Sequence, residues 1–304
     1  MKKSKILLLY TEHGNWFYED LARRIHEDLG EEGYDAALVP AERFLAGVYT
    51  GGPYDLILLT NLCEIIECLR FDNERTRCLE RILTFPRRVL LNCDAFQTYW
   101  YRRQFRFGPG VFSEVLDLGV IPQNADKECD GVPIHWAPES FTRGEFAALE
   151  PWSDDRPVPW AFMGHLTLPR VLLVCELQET LGRDGFVLIP PLAPYTKERG
   201  GLSRETLFRV LKKSRFYIWN SHHPYPYHET LRVMHAVANG AMPVKIDATG
   251  FEEFQGLPWV FQSLEGFLEQ VASQGRAQYY RNCLEYMRGK GTLGRNVAEA
   301  LGLS

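Results

Sequence analysis

The feature that most constrains this chain is a set of short runs that are apolar at every position. "KILLLYT", "YDLILLTN" and "RRVLLNCD" occur at 5–11, 54–61 and 87–94. A strand with one wet face alternates apolar and polar residues, whereas a strand apolar throughout has to be covered on both faces. Between these runs the period changes. "WFYEDLARRIHEDLGEEG" places Phe17, Leu21, Ile25 and Leu29 four residues apart and meets a stop at Gly30, which is the pattern of an amphipathic helix. "ERTRCLERILTF" is helical by the same test, and "DAALVP" is a further strand. Strands alternating with helices predict a parallel sheet with helices on both sides.

The alternation weakens between about 120 and 160. "IPQNADKECDGVPIHWAPES" and "EPWSDDRPVPW" are rich in proline, aspartate and glycine and read as linker or long loop. It then resumes. "WAFMGHLTLPR" reads as strand then loop, "RVLLVCELQETLG" as a helix ended by Gly182, and "GFVLIPP" as a strand. "SRETLFRVLKKS" is a helix with Ser203 as its capping residue, followed by the strands "RFYIWNS" and "MPVKID" and the helix "LEGFLEQVASQG". "RAQYYRNCLEYMRG" and "RNVAEALGL" are helical. With 304 residues, the chain reads as two doubly wound α/β domains, 1–150 and 151–278, each long enough to bury its own core. Ligands of such sheets bind beyond the carboxyl ends of the strands, so two domains facing each other would form a binding cleft.

Composition removes several classes. A formal net charge of −5 argues against a nucleic-acid partner. The densest basic run, "RRQFRF" at 102–107, reads as a solvated amphipathic segment. The apolar run after the N-terminal lysines is too short for a secretory leader, and no stretch approaches the ~18 apolar residues of a membrane span. Seven scattered cysteines without metal-type pairing read as reduced thiols of a cytoplasmic protein. There is no G-x-S-x-G elbow, G-x-G-x-x-G fingerprint or Walker sequence. His222, His223, His228 and His235 lack the spacing of a metal site, and no metal is expected.

The densest polar stretch is "WNSHHPYPYHETLRVMHAVANGAMPVKID" at 219–247. A helix is expected after Tyr227, with Pro226 suited to its first turn, an apolar stripe of Leu231, Met234 and Ala238, and Gly240 as its stop. Its N-terminus would offer unpaired N–H groups to an anion. Glu229 falls in the first turn, and Arg232 is expected as an exposed cation sharing a face with His228 and His235.

The run Arg232-x-x-His235-Ala236-x-x-x-Gly240-x-x-Pro243-Val244 resembles the donor-binding segment of GT-B-fold glycosyltransferases of the exostosin-like and spore-maturation types. "NGAMPV" and "FYIWNS" are similar to segments of α1,3-fucosyltransferases, and "WAFMGHLTLPR" resembles the motif opening the second domain of the spore-maturation type. The matching motifs cover about 45 residues. Two departures stand out: His235 occupies a position where these families carry an acid, and Tyr227 and His235 replace the paired glutamates of retaining enzymes.

The resemblance implies a GT-B architecture of two Rossmann-like domains facing across a cleft, with helices in 279–304 crossing back to the first. It implies a hexosyltransferase-type enzyme, inverting and metal-independent, with no cofactor and a UDP-, GDP- or TDP-sugar as donor. The acceptor would be a saccharide, peptide or small molecule. Gly164 and Arg170 would meet the diphosphate and Tyr195 the base. Asn220, Ser221, His223, Tyr227, His228 and Glu229 would line the sugar and phosphates, beside Arg232 and His235. The general base would come from the strand ends of the first domain, where His13, Asp94 and Glu12 are the candidates. The alternatives are a nucleotide-sugar epimerase of the same fold and a non-catalytic nucleotide-binding scaffold.

Overall fold

The computed structural model describes residues 3–49, 52–108, 110–119, 128–129, 131–165, 167–189, 202–221, 228–247, 254 and 256–303. The chain divides into two compact units, Met1–Arg143 with Gly291–Ser304, and Gly144–Lys290.

The first unit runs β1 (Lys5–Tyr10), α1 (Trp16–Glu31), β2 (Asp35–Pro40), α2 (Ala41–Leu45), β3 (Leu56–Leu59), α3 (Leu62–Glu67), α4 (Asp72–Leu83) and β4 (Arg87–Asn92). It continues through α5 (Tyr99–Arg102), a 3-10 turn (Arg103–Phe107), β5 (Glu114–Asp117), β6 (Glu128–Cys129) and β7 (Val132–Trp136). The sheet order is β2-β1-β3-β4-β5-β7-β6, parallel except for the β6 edge. The uninterrupted apolar runs are explained by two cores. Leu7, Leu9, Ile57, Leu59 and Leu90 pack on one face with Phe44, Ile65 and Ile82. Ile6, Leu8, Leu56, Leu58 and Val89 pack on the other with Leu21, Ile25 and Leu29 of α1. Each buried leucine or isoleucine contributes about 1.5–3 kcal/mol, so the sheet interior dominates this unit's stability.

The stretch expected as linker contains β7, which pairs with β5 through Ile134 and Trp136. Pro133 obscured it, yet proline is tolerated there: pairing with β5 begins only at Ile134, and Pro133 itself is opposite Glu128 of the two-residue edge strand β6.

The second unit begins with α6 (Arg143–Ala147), whose first residue closes the first unit, and follows with β8 (Val158–Met163), α7 (Leu168–Leu181), β9 (Phe186–Leu188), α8 (Arg204–Lys213) and β10 (Ser214–Trp219). It ends with α9 (Thr230–Ala238), β11 (Met242–Ile246), β12 (Val260–Phe261), α10 (Leu264–Gln274) and α11 (Arg276–Arg288). All five strands are parallel in the order β12-β11-β10-β8-β9. Ser203 caps α8 as expected, accepting from the Thr206 N–H at 3.2 Å. Helix α9 is not one-sided: Thr230 to Val237 are all buried, so it lies within the unit rather than on its surface. Arg156 ties the carboxyl ends of α8 and α9 to the start of β10 and the preceding loop by donating to the carbonyls of Leu211, Asn239, Ser214 and Pro151.

Of the helices placed in 279–304, α11 stays with the second sheet, held by Tyr279 donating to Pro243 O (2.6 Å) and Tyr280 donating to Val237 O (2.9 Å). Helix α12 (Leu293–Ala300) returns to the first unit, where Leu293, Val297 and Leu301 pack with the α1 face. Asp28 of α1 accepts hydrogen bonds from the backbone N–H groups of Gly294 and, at 2.8 Å, Arg143.

Candidate functional site

In the second sheet the chain moves outward in one direction from β8 to β9 and in the other from β10 to β12. The switch point lies between β8 and β10, and a crevice opens beyond the carboxyl ends of such adjacent strands. The residues just past those ends are Gly164 and His165 after β8, Asn220 after β10 and Asp247 after β11.

Two arginines converge there. Arg170 from the first turn of α7 is 1% exposed. Its Nε and Nη2 donate to Asn220 O at 3.1 and 2.7 Å, and its Nη1 donates to His165 O at 3.3 Å. Arg232 of α9 is 7% exposed and donates to Met163 O at 2.7 Å and to the Tyr217 hydroxyl. Arg232 is thus not the exposed cation expected from the sequence, because the helix bearing it is buried all round. Glu229 joins the pair, with Oε1 2.9 Å from Arg232 Nε and 3.7 Å from Arg170 Nη2. It stands at the N-cap of α9 rather than in its first turn, and its side chain makes no capping hydrogen bond.

Gly164 makes this convergence possible. A Cβ there would sit 2.8 Å from Arg170 Nη1 and 3.5 Å from Arg232 Nη2, so any side chain would displace a guanidinium. The neighbouring His165 is held below its ordinary pKa by burial and then by the two arginines, and is neutral. Asn220 Oδ1 is buried and has no hydrogen-bond partner among the described residues.

The sequence reading missed a second charged pair in the same place. Lys245, at the end of β11, is fully buried, with Nζ 2.8 Å from Asp247 Oδ2. Burial pushes its pKa down; Asp247 and Glu229 oppose that shift and Arg170 adds to it, so the two charged groups share one field. The only visible signal was a lysine inside an otherwise apolar strand, "MPVKID". His228 accepts from Trp259 Nε1 at 2.6 Å through its Nε2. Burial, with Lys245 second, lowers its pKa to about 3, so the ring is neutral.

Gly164, Arg170, Asn220, Glu229 and Arg232 are therefore brought together, with His228 joined to them through the field it shares with Lys245 and Glu229. Ser221 follows Asn220 and is buried. The ring of His235 packs edge-on against Phe208 of α8, with centroids 5.2 Å apart. Tyr195, His222, His223, Pro226 and Tyr227 lie outside the described residues. Among the described residues, no three His, Cys, Asp or Glu side chains group as metal ligands, and no helix is long and apolar enough to cross a membrane.

In the first unit the corresponding switch point lies between β1 and β3. His13 is on the surface, its side chain 71% exposed, with Nε2 3.4 Å from Glu42. Glu12 accepts from the Tyr10 hydroxyl at 3.1 Å. Asp94 accepts from the Tyr18 hydroxyl at 3.3 Å, and its backbone is clasped by Asn92, which donates to Asp94 O and accepts from Asp94 N. Beside them is a carboxylate the sequence reading passed over, Glu64 of α3, whose Oε2 accepts from the Asn15 N–H at 3.2 Å. Burial is the main cause raising its pKa to about 7.

No protein-family model and no curated protein matches the chain. Solved structures do. An α-glucosyltransferase in complex with UDP superposes with a TM-score of 0.64 at 8% identity, over 98% of this chain and 99% of that one. An α-glucosyltransferase bound to UDP and a DNA 13-mer containing an HMU base gives 0.57 at 10% identity, over 99% and 96%. A DNA-modifying β-glucosyltransferase, solved with and without uridine diphosphoglucose, gives 0.54 at 9% identity, over 98% and 99%. At such identities the likeness is one of fold. The chain has the GT-B fold, built from two Rossmann-like units.

Proposed function

We propose that this chain is a glycosyltransferase that takes a hexose from a nucleotide-sugar donor bound at the strand ends of the second unit. One observation carries the reading. Among the described residues, three buried cations, Arg170, Arg232 and Lys245, gather at the switch point against two carboxylates, Glu229 and Asp247, while His165 and His228 are neutral. Cations held at the strand ends of a doubly wound sheet, where ligands of this fold class bind, are suited to an anionic ligand. A nucleoside diphosphate supplies that charge. UDP is the first choice, because the α-glucosyltransferase of like fold holds UDP.

The chemistry follows from charge. As the bond between the sugar and the diphosphate breaks, negative charge grows on the leaving oxygens. Cations already fixed by Asn220 O, His165 O and Met163 O stabilise that charge without reorganising. Asn220 Oδ1 is placed to accept from a ligand hydroxyl or N–H. No metal is required in this scheme, since the three side chains take its electrostatic part.

The acceptor is proposed to be a saccharide, peptide or small molecule with a free hydroxyl, attacked with inversion. Two neighbours of the same fold were solved with DNA. In this chain the net charge is −5, and two arginines of its densest basic run, Arg103 and Arg106, are both spent on Glu67. Calorimetry with UDP, GDP, TDP and their sugars tests the reading. Binding of one nucleotide that weakens at least tenfold in Arg232→Ala and Lys245→Ala supports it. No binding of any nucleotide would sink it.

A further inference from the structure

We infer that the His165 ring is an accessible contact for the donor's diphosphate, which it meets as an imidazolium, taking one proton from solvent as the nucleotide sugar binds. This rests on the donor-site reading above and lies wholly within the second unit.

The cations at the switch point supply charge but almost no surface. Arg170 is 1% exposed and places Nε and Nη2 on Asn220 O and Nη1 on His165 O. Arg232 is 7% exposed and is held by Glu229, Met163 O and the Tyr217 hydroxyl. Lys245 is fully buried against Asp247. A phosphate is fixed by charge-assisted hydrogen bonds from donors that reach it, and not by nearby charge alone.

His165 stands where such a donor is needed. It is the second residue past the carboxyl end of β8, beside the switch point. Its carbonyl accepts from Arg170 Nη1 at 3.3 Å, so its backbone is pinned beside that guanidinium. Gly164, just before it, puts no side chain in between: the place of its missing Cβ is 2.8 Å from Arg170 Nη1 and 3.5 Å from Arg232 Nη2. His165 is half-buried, so it offers a ligand the surface that the three cations lack.

The field around the ring makes its charge depend on the ligand. Burial, then Arg170 of α7 and Arg232 of α9, disfavours the imidazolium. Glu229 at the N-cap of α9 faces both arginines, and Lys245 and Asp247 at the end of β11 act on the same cluster. A diphosphate offsets the arginines and favours a positive N–H donor beside them, so the ring gains a proton as the ligand arrives. One proton leaves solvent, none leaves the ligand, and the ring makes no covalent bond to the sugar. The imidazolium donates to a diphosphate oxygen, and that hydrogen bond strengthens as negative charge grows on the departing group. If binding lifts the ring's pKa by about one unit, affinity gains about tenfold at pH below both values. That gain is lost as pH rises through the bound-state pKa.

The test uses UDP-glucose, with GDP and TDP sugars alongside, because these donors have no terminal phosphate to titrate near neutral pH. Calorimetry at about pH 6.5 in two buffers of unlike ionisation enthalpy counts the protons taken up. The unchanged protein should take up about half a proton or more per ligand, and its affinity should fall at least about threefold from about pH 6 to 8.5. His165→Gln should take up none, bind at least about threefold more weakly at pH ~6, and come within about twofold of the unchanged protein at pH ~8.5. Should that variant fail to fold, NMR of the His165 ring in the unchanged protein reads the same event, as a ring that is neutral near pH ~6.5 and becomes charged when UDP-glucose is added. Uptake that persists in His165→Gln assigns the proton to another group, Lys245 first, and overturns the inference. Binding without uptake across this pH range, or a His165 ring that stays neutral, overturns it too. In each of these cases the donor site stands. Failure of the unchanged protein to bind any nucleotide sugar refutes the donor-site reading itself.

Discussion

Replacing Glu229 by glutamine removes a carboxylate shared by two buried guanidinium groups. Its Oε1 lies 2.9 Å from Arg232 Nε and 3.7 Å from Arg170 Nη2, and the glutamate side chain is only 9% exposed. At an effective dielectric constant of about 20, Coulomb's law gives gross attractions of about 6 and about 4 kcal/mol. Desolvation of three ions offsets much of that. Experience with broken buried pairs puts the net loss at about 3–5 kcal/mol, because the stranded cations remain. The amide keeps the shape and can still accept a hydrogen bond, so we expect the low end, about 3 kcal/mol. Urea unfolding followed by tryptophan fluorescence is weighted toward this unit, since the fully buried Trp160, Trp219 and Trp259 all belong to it. A two-unit chain need not unfold in one step, so the transition seen by fluorescence is the one to compare. Saturating UDP should then narrow the gap by at least about 1 kcal/mol beyond ordinary ligand stabilisation, because the diphosphate replaces the missing counter-charge. A Glu229→Gln protein within about 0.5 kcal/mol of the original in the absence of nucleotide, a change typical of bland surface substitutions, would refute the argument that this carboxylate holds the arginines.

Gly164→Ala should cost about 1–3 kcal/mol by overpacking against Arg170 and Arg232, and weaken nucleotide binding at least tenfold; thermal unfolding and calorimetry read the two effects. Arg156→Met leaves four carbonyls without their donor and should lower the stability of the second unit by about 3 kcal/mol or more, visible as a lost or shifted fluorescence transition. His228, with a folded pKa of about 3, refuses a proton that the unfolded chain binds below pH ~6.5. Stability therefore falls as pH drops through that window, by about 2 kcal/mol at pH 5, and His228→Asn should flatten the decline in urea titrations. Glu64 acts in the opposite sense. Its pKa of about 7 lies above the ~4.3 of an unfolded glutamate, so stability falls as pH rises from about 4 to 7, and Glu64→Gln should be relatively more stable at pH 8 than at pH 5 by calorimetric unfolding.

Much of this architecture was readable in advance. Runs such as "KILLLYT" and "RFYIWNS" carried the parallel sheets, because a strand buried on both faces leaves no polar alternation to misread. The strand-end loops after β8 and β10 were also located from sequence, and with them Gly164 and Asn220, whereas Arg170, expected on the first of these loops, stands in the first turn of α7. What sequence hid was burial. Arg232 reads as a surface residue on an amphipathic helix, and only packing shows the helix enclosed. Lys245 is a lone lysine inside an otherwise apolar strand, and only packing shows its ammonium fully covered and paired with Asp247. Glu64 escaped because α3 is six residues long, too short for a period to appear. Strand β7 escaped because Pro133 lies in it, and the pairing that tolerates proline there is set by β5 and β6, not by local sequence.

The return of α12 to the first unit has a consequence for synthesis. The second unit is contiguous in the chain and can fold as soon as it is made, whereas the first is finished only by residues that follow the second. The apolar stripe of Leu21, Ile25 and Leu29 has to wait for Leu293, Val297 and Leu301 while roughly 260 residues are translated, on the order of tens of seconds at usual ribosome speeds. During that interval the nascent first unit presents an uncovered greasy surface. It leaves the ribosome before the second unit and is closed after it, so it is the part that chaperones should meet.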